Sequence, residues 1–331
     1  MVQLEVATTI AGVEALRDDW EALCDVAANS TPFQRHAWVT AWMRHTGARE
    51  PRVLAVRCGS DLVGVLPAFL WGSPPHRTVS LLGAGPSDHL DAPAAPGFER
   101  ALLDGAFEWL ERARSEWDGC AFDEVGERAL LQGLRAPPGF RVFGELQSVC
   151  PVLGIPEAAS RIEHAVPPRQ AARLRKARRR ARAAASLTLH RADDGANLGV
   201  AMDALFELHG RRWTSRRGTG LLRGPGVRAL HEDAARAFAA RGALRIYALR
   251  VSDRVGAVVY GFREGRRLHL YMQGMDPALE HLSPGTLLVG FVLEDALAEG
   301  VREVDFLRGD EPYKYQWGAG DERNVRLCVT R

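Results

Sequence analysis

Lysine is almost missing from this 331-residue chain: of 43 basic residues only Lys176 and Lys314 are lysines, and the rest are arginines. On a solvated surface the two serve about equally well. A composition that favours arginine should therefore erase exposed lysines and spare those whose compact ammonium is needed. Lys314 is a candidate for such a need, whereas Lys176 lies inside an arginine run with no evident special role. Cysteine is sparse as well. Cys24, Cys58, Cys120, Cys150 and Cys328 are far apart, odd in number and form no C-x-x-C pair, which excludes a disulfide frame or a cysteine zinc site and reads as reduced thiols. No apolar run is long enough to span a membrane. The opening "MVQLEVATTIAGVEALRDDW" has no basic stretch ahead of an apolar core, so no signal peptide and a cytoplasmic location are expected. H-E-x-x-H, G-x-S-x-G and the Walker pattern are absent, which removes support for metalloprotease, serine-hydrolase and P-loop chemistry; no metal site is expected.

What remains is ordinary globular material, 46% hydrophobic and 25% charged, with a net charge of only +2. The length exceeds what one core usually supports, so two domains are expected. The chain also repeats itself. "RVLAVRCGSDLVGVLPAF" (Arg52–Phe69) and "RIYALRVSDRVGAVVYGF" (Arg245–Phe262) each read as an alternating strand, a Ser-Asp turn and a second strand opening with Val-Gly. In both halves a helical region precedes the hairpin. A further strand, a Pro/Gly-containing loop, an amphipathic helix and a short strand follow it. In "FERALLDGAFEWLERARSEW" Leu102, Leu103, Phe107, Leu110 and Trp117 fall near one face. The expected fold is α/β with mixed sheets, two copies of one unit.

Between the copies lies "PPRQAARLRKARRRARAAA", in which eight of the fourteen residues from Arg169 to Arg182 are basic. Helical spacing puts Leu174, Ala177, Ala181 and Ala184 on a thin apolar stripe. The pattern fits a solvated linker helix, or a helix that binds an anion such as a nucleotide phosphate, an acidic carrier protein or RNA. It has no aromatics, which disfavours stacking on single-stranded RNA. The expected partition is 1–155, a basic connector over 156–190, and 191–331.

Three stretches of the second half carry candidate chemistry. "LHLYMQG" runs toward "LSPGTLLVG", where Ser283 can cap a helix beginning near Pro284 and Gly285 offers close backbone approach; a helix start suits a pyrophosphate. In "NLGVAMDALFELHGRRW" Leu198, Met202, Leu205, Leu208 and Arg212 share a face, with His209 and Trp213 beside it. Near the C-terminus "DFLRGDEPYKYQWG" gathers charges around a strand end. These either take part in chemistry or neutralise each other as Asp305–Arg308 and Asp310–Lys314 pairs.

Taken in order, "TPFQRHAWVTAWMRHTG", "LLGAGPSDHLD", the Arg-rich helix, "LHGRRW", "LSPGTLL" and "DFLRGDEPYKYQWG" resemble GNAT-type acetyltransferases of the cellulose-biosynthesis (CelD-like) branch, related to the Fem-type peptidyltransferases. The resemblance implies tandem GNAT-like domains, the first a degenerate copy. It implies acyl transfer from acyl-CoA to a small-molecule or peptide amine by direct attack. Met272, Gln273 and Gly274 would border the pantetheine slot, and Leu282, Ser283, Gly285 and Thr286 the pyrophosphate. Catalysis would fall to Asp305, Tyr313, His209 and Lys314, and substrate contacts to Arg212, Trp213, Arg308 and Asp88. The usual Q/R-x-x-G-x-G/A loop is replaced by "EHLSPGT". An acyl carrier protein or an aminoacyl-tRNA therefore stands as an alternative donor, and a non-catalytic binding module as an alternative role.

Overall fold

The computed structural model describes residues 2–47, 50–184, 186–193, 195–214, 226–252 and 254–331, apart from the side chains of 195, 196 and 211–214. It contains two compact units, Met1–Val149 with Glu322–Arg331, and Cys150–Asp321.

The first unit begins with strand β1 (Val2–Ala7) and helices α1 (Ile10–Glu14), α2 (Arg17–Val26) and α3 (His36–Thr46). The predicted hairpin follows as β2 (Pro51–Cys58) and β3 (Asp61–Trp71), then β4 (Thr78–Leu81), α4 (Glu99–Arg112), β5 (Gly119–Val125) and β6 (Arg141–Gly154). In the sheet β1, β2, β3, β4 and β5 are neighbours in that order, and the C-terminal strand adds next to β5. The residues predicted to share a face of α4 are all buried, with Leu110 fully so, and Trp117 is buried just beyond the helix.

β4 and β5 run parallel but pair only through Thr78–Gly119 and Val79–Cys120. Where they part, the chain fills its own gap. Residues Ser87 to Asp91 are all buried there. The Leu90 N–H donates to the Glu124 carbonyl (2.7 Å), the Gln34 side chain donates to the His89 carbonyl (2.6 Å), and the Trp38 indole donates to Ser87 Oγ (2.8 Å). Asp91 accepts from Asn29 Nδ2 and from the N–H groups of Leu130 and Leu131. Gly83 makes this plug feasible: its φ is +98°, and a Cβ would lie 2.7 Å from Ser87 Oγ.

The second unit takes the last residues of β6, then α5 (Ile162–Ala165), α6 (Pro168–Ala184), β7 (Leu187–Arg191), α7 (Gly195–Thr214) and α8 (Val227–Ala240). Next come the second hairpin, β8 (Leu244–Val251) and β9 (Arg254–Glu264), and then β10 (Arg267–Met275), α9 (Pro284–Ala298), β11 (Glu303–Asp305) and α10 (Pro312–Gln316). The final strand, β12 (Gly320–Thr330), returns to the first unit. Within this unit the strand order is β6-β11-β10-β9-β8-β7. The duplication read from the hairpins holds in the topology. Each hairpin has a register shift at an aligned position, Val56/Arg57 in one and Leu249/Arg250 in the other. Each is followed by a strand, a crossover helix and a parallel strand. The fold is mixed α/β, as expected.

The basic segment differs from the expected connector. α6 belongs to the second unit because its thin stripe is enough to dock. Leu174, Ala177 and Ala181 are buried, although Ala184 is exposed. Gly290 of α9 leaves room for the Leu174 side chain, which a Cβ there would meet at 2.5 Å. Arg178 pairs with Glu294 across the same contact. At the other end of α9, Glu299 receives Arg245 (2.9 Å) and Arg191 (2.5 Å). Burial alone would raise the Glu299 pKa, but these two guanidiniums outweigh it and hold the carboxyl below its ordinary range.

Candidate functional site

In the second unit the equivalent gap stays open. β11 pairs in parallel with β10 only from Arg267 to His269, so from Leu270 onward that edge of β10 has no pairing with β11. The register of β10 on β9 also shifts between Leu270 and Met272. Beyond the parting lies a cleft of about 460 Å³. Gln273 and Met275 of β10, Gln170 of α6, the start of α9 and Tyr313 of α10 border it.

Two glycines shape these walls. A Cβ on Gly274 would lie 2.8 Å from Leu208 Cβ and 2.9 Å from the His209 nitrogen, so the glycine lets α7 lie directly on β10. The apolar face predicted for α7 does the packing, with Leu198, Met202, Leu205 and Leu208 all buried. A Cβ on Gly285 would meet Met275 Sδ at 2.3 Å, so this glycine admits the methionine rather than opening the backbone to a ligand. Ser283 is not the expected cap. Its backbone is left-handed (φ 57°, ψ 53°) and its side chain bonds no helix N–H. Its Oγ instead accepts from Arg180 of α6 (2.7 Å), and its N–H donates to the Glu280 carbonyl (2.8 Å).

A polar line crosses the cleft wall. His209 Nδ1 lies 3.1 Å from the Gln273 carbonyl, and Gln273 Nε2 donates to the Tyr313 hydroxyl at 2.5 Å. A carbonyl oxygen only accepts, so this contact calls for a proton on His209 Nδ1. The Tyr313 oxygen accepts, so its own proton is not spent on Gln273. Behind this line His231 is 1 % exposed and packs beside Tyr260 and Tyr271. Burial, with a contribution from His209, pushes its pKa down to about 3 and keeps it neutral.

The charges of the C-terminal motif form a separate cluster. Asp305 is fully buried; its Oδ2 pairs with Arg267 (2.8 Å) and lies 3.3 Å from His269 Nδ1, and its Oδ1 accepts the Leu307 N–H. It sits at the closed end of the slot, where β10 and β11 still pair. Arg267, a partner that sequence reading did not name, pairs with Asp305 from the neighbouring strand. Lys314 pairs with Glu311 (2.9 Å), not Asp310. Its Nζ also donates to the carbonyls of Leu307 (2.8 Å), Arg308 (2.9 Å) and Gly309 (2.8 Å). An ammonium already bonded to three carbonyls and a carboxylate has no donor left for a substrate, which answers the lysine question structurally.

Among the predicted residues, Gln273, Ser283, Gly285, Thr286 and Tyr313 meet at the cleft, and His209 joins through Gln273. Met272 and Leu282 are buried in the packing. Arg308 does not line the cleft; it lends its carbonyl to Lys314. Asp88 lies in the first unit, 4 % exposed, inside the plug. The side chains of Arg212 and Trp213 lie outside the described residues. Sequence reading missed Gln170, Met275, Gln316 and Trp317, which also line the cleft. A lone glutamine opening an arginine run was the signal for Gln170.

Residues 168–315 match the family model of the Acetyltransferase (GNAT) domain. No curated protein matches the chain. Among solved structures it is similar to FemX (11% identity, TM-score 0.68, 99% of this chain and 96% of that one). It is similar to a tandem GNAT protein from the clavulanic acid biosynthesis pathway (15%, TM-score 0.52, 99% and 98%). It is also similar to L-PGS from Bacillus licheniformis (11%, TM-score 0.57, 95% and 91%). At these identities the likenesses establish the fold, and residues 168–315 are similar to the Acetyltransferase (GNAT) domain.

Proposed function

We propose that the second unit is an N-acyltransferase site, taking an acyl group from a pantetheine thioester and passing it to an amine by direct attack. The observation that supports this best is the parting of β10 from β11, which opens onto a cleft crossed by the His209–Gln273–Tyr313 line. An extended thioester arm fits along a strand edge that offers main-chain groups without a partner strand. The attacking amine must first lose a proton, and His209 Nε2 is the acceptor in this reading. The carbonyl carbon then becomes tetrahedral, and the N–H of Gln273, on the edge of β10 that faces away from β9, receives the oxyanion. As the C–S bond breaks, Tyr313 gives its proton to the leaving thiolate. Asp305 and Lys314 have no chemical step; they hold the closed end of the slot and the 307–309 turn. We place the chain in the CelD-like branch on the strength of the C-terminal motif.

Aminoacyl-tRNA-dependent amide formation is the second reading, favoured by the exposed arginines of α6. A melting-temperature screen with acetyl-CoA, longer acyl-CoAs and CoA tests the first reading, because a ligand that binds only the folded state raises the midpoint. At least one acyl-CoA, or an acylated carrier protein, is expected to stabilise the protein and to release free thiol when amines are supplied. Turnover of aminoacyl-tRNA alone, falling steeply with salt, would replace the first reading by the second.

A further inference from the structure

Most described arginines outside α6 face carboxylates, and within α6 Arg178 pairs with Glu294. Arg173 and Arg180 do not. Arg180 donates to the hydroxyl of Ser283 and Arg173 to the side-chain carbonyl of Gln316, both neutral groups. Ser283 and Gln316 line the cleft, and so does Gln170 of the same helix. At 3.6 residues per turn, Arg169, Arg173, Lys176 and Arg180 form one exposed stripe along this side of α6, about 16 Å long. The stripe therefore runs along the cleft mouth, held there at two points by weak neutral contacts that an anion can displace.

The loop ahead of α9 is poorly suited to the same job. Pro277 and Pro284 have no N–H, the Ser283 N–H is spent on Glu280, and Asp276 and Glu280 border the cleft on that side. Asp276 is paired with Arg254 (2.6 Å), but the Glu280 carboxylate repels an anion and the prolines remove donors.

We infer that Arg173 and Arg180 of α6 form the phosphate site for the donor's pantetheine arm, displacing that role from the loop at the start of α9. The inference rests on the thioester reading above and adds to it where the phosphate is held. The phosphate ester could belong to CoA or to a carrier protein's phosphopantetheine; the arm and its phosphate are common to both.

Equilibrium binding of pantetheine, 4′-phosphopantetheine, CoA and a phosphopantetheinylated carrier protein is measured on the full chain and on Arg173→Ala, Arg180→Ala and the double variant. Charge-assisted hydrogen bonds of this kind are each worth roughly tenfold or more in affinity. With two such bonds the phosphate should strengthen binding of the arm to the native chain by about a hundredfold. The double variant should lose about a hundredfold for 4′-phosphopantetheine while its affinity for pantetheine is unchanged. The pantetheine arm thus reports directly on folding and on the slot. Arg175→Ala and Arg182→Ala, on the far side of the helix, should bind like the native chain. A CoA preference would identify the nucleotide form as the source, and a carrier preference the protein-borne form; loss in the double variant supports the site in either case. Equal affinity for pantetheine and its phosphate, or a double variant that binds the phosphate normally, overturns the site and leaves the acyl-transfer reading intact. Failure of all four probes to bind, or binding of tRNA alone, overturns both.

Discussion

Lys314→Met is expected to lower the folding stability of the second unit by about 3 kcal/mol, the upper end of the scale for leaving buried acceptors without their donor. Three acceptors lose a common donor at once, the carbonyls of Leu307, Arg308 and Gly309, and the Glu311 carboxylate loses its ion-pair partner. The turn they belong to is already unfavourable, with Leu307 at φ 54° and Gly309 at φ 112°. The methionine keeps most of the side-chain volume, so the loss reports the ammonium and not a cavity. Lys314→Arg should rescue little, because a planar fork cannot direct three donors at three carbonyls converging on one point. Urea unfolding measures it; a shift of less than about 0.5 kcal/mol, the range of ordinary surface changes, would show that the turn holds without its staple.

Tyr313→Phe is expected to lower kcat by about a hundredfold, the lower end of what general acid catalysis contributes. The ring remains against Phe306, so fold and cleft should be retained. KM for the donor should change little, because the hydroxyl acts when the thiolate departs and not when the thioester binds. A leaving group that needs no proton separates the roles: an activated thioester with a low-pKa thiol should restore much of the lost rate. If kcat falls less than about threefold, or if the loss is the same for every leaving group, Tyr313 is a wall residue and the proton comes from elsewhere.

The duplication was legible because a hairpin writes its periodicity locally: the first strand recurs 193 positions on, from Arg52 to Arg245, and the Ser-Asp turn and Val-Gly recur 192 positions on. The faces of α4 and α7 were legible for the same reason, since helical spacing is a local property. Asp305 was not. Its partners, Arg267 and His269, lie on a strand brought alongside by parallel pairing through a crossover helix, and the register of that pairing leaves no trace in either strand alone. Ser283 misled because Ser-Pro-Gly has the composition of a cap, while Arg180 and the left-handed backbone direct its hydroxyl elsewhere. The basic helix left two readings open, a solvated linker and an anion-binding helix, because charge density alone does not show that three small or apolar side chains suffice to seat it on α9.

The plug in the first unit bears on how the molecule counts. With Ser87 to Asp91 wedged where the second unit keeps its opening, the earlier copy has surrendered its vacancy to its own backbone. On the acyl-transfer reading, a protein built twice from one template is expected to be monovalent. Saturation should come at a single equivalent of donor per polypeptide, without the cooperativity that two competent halves would invite.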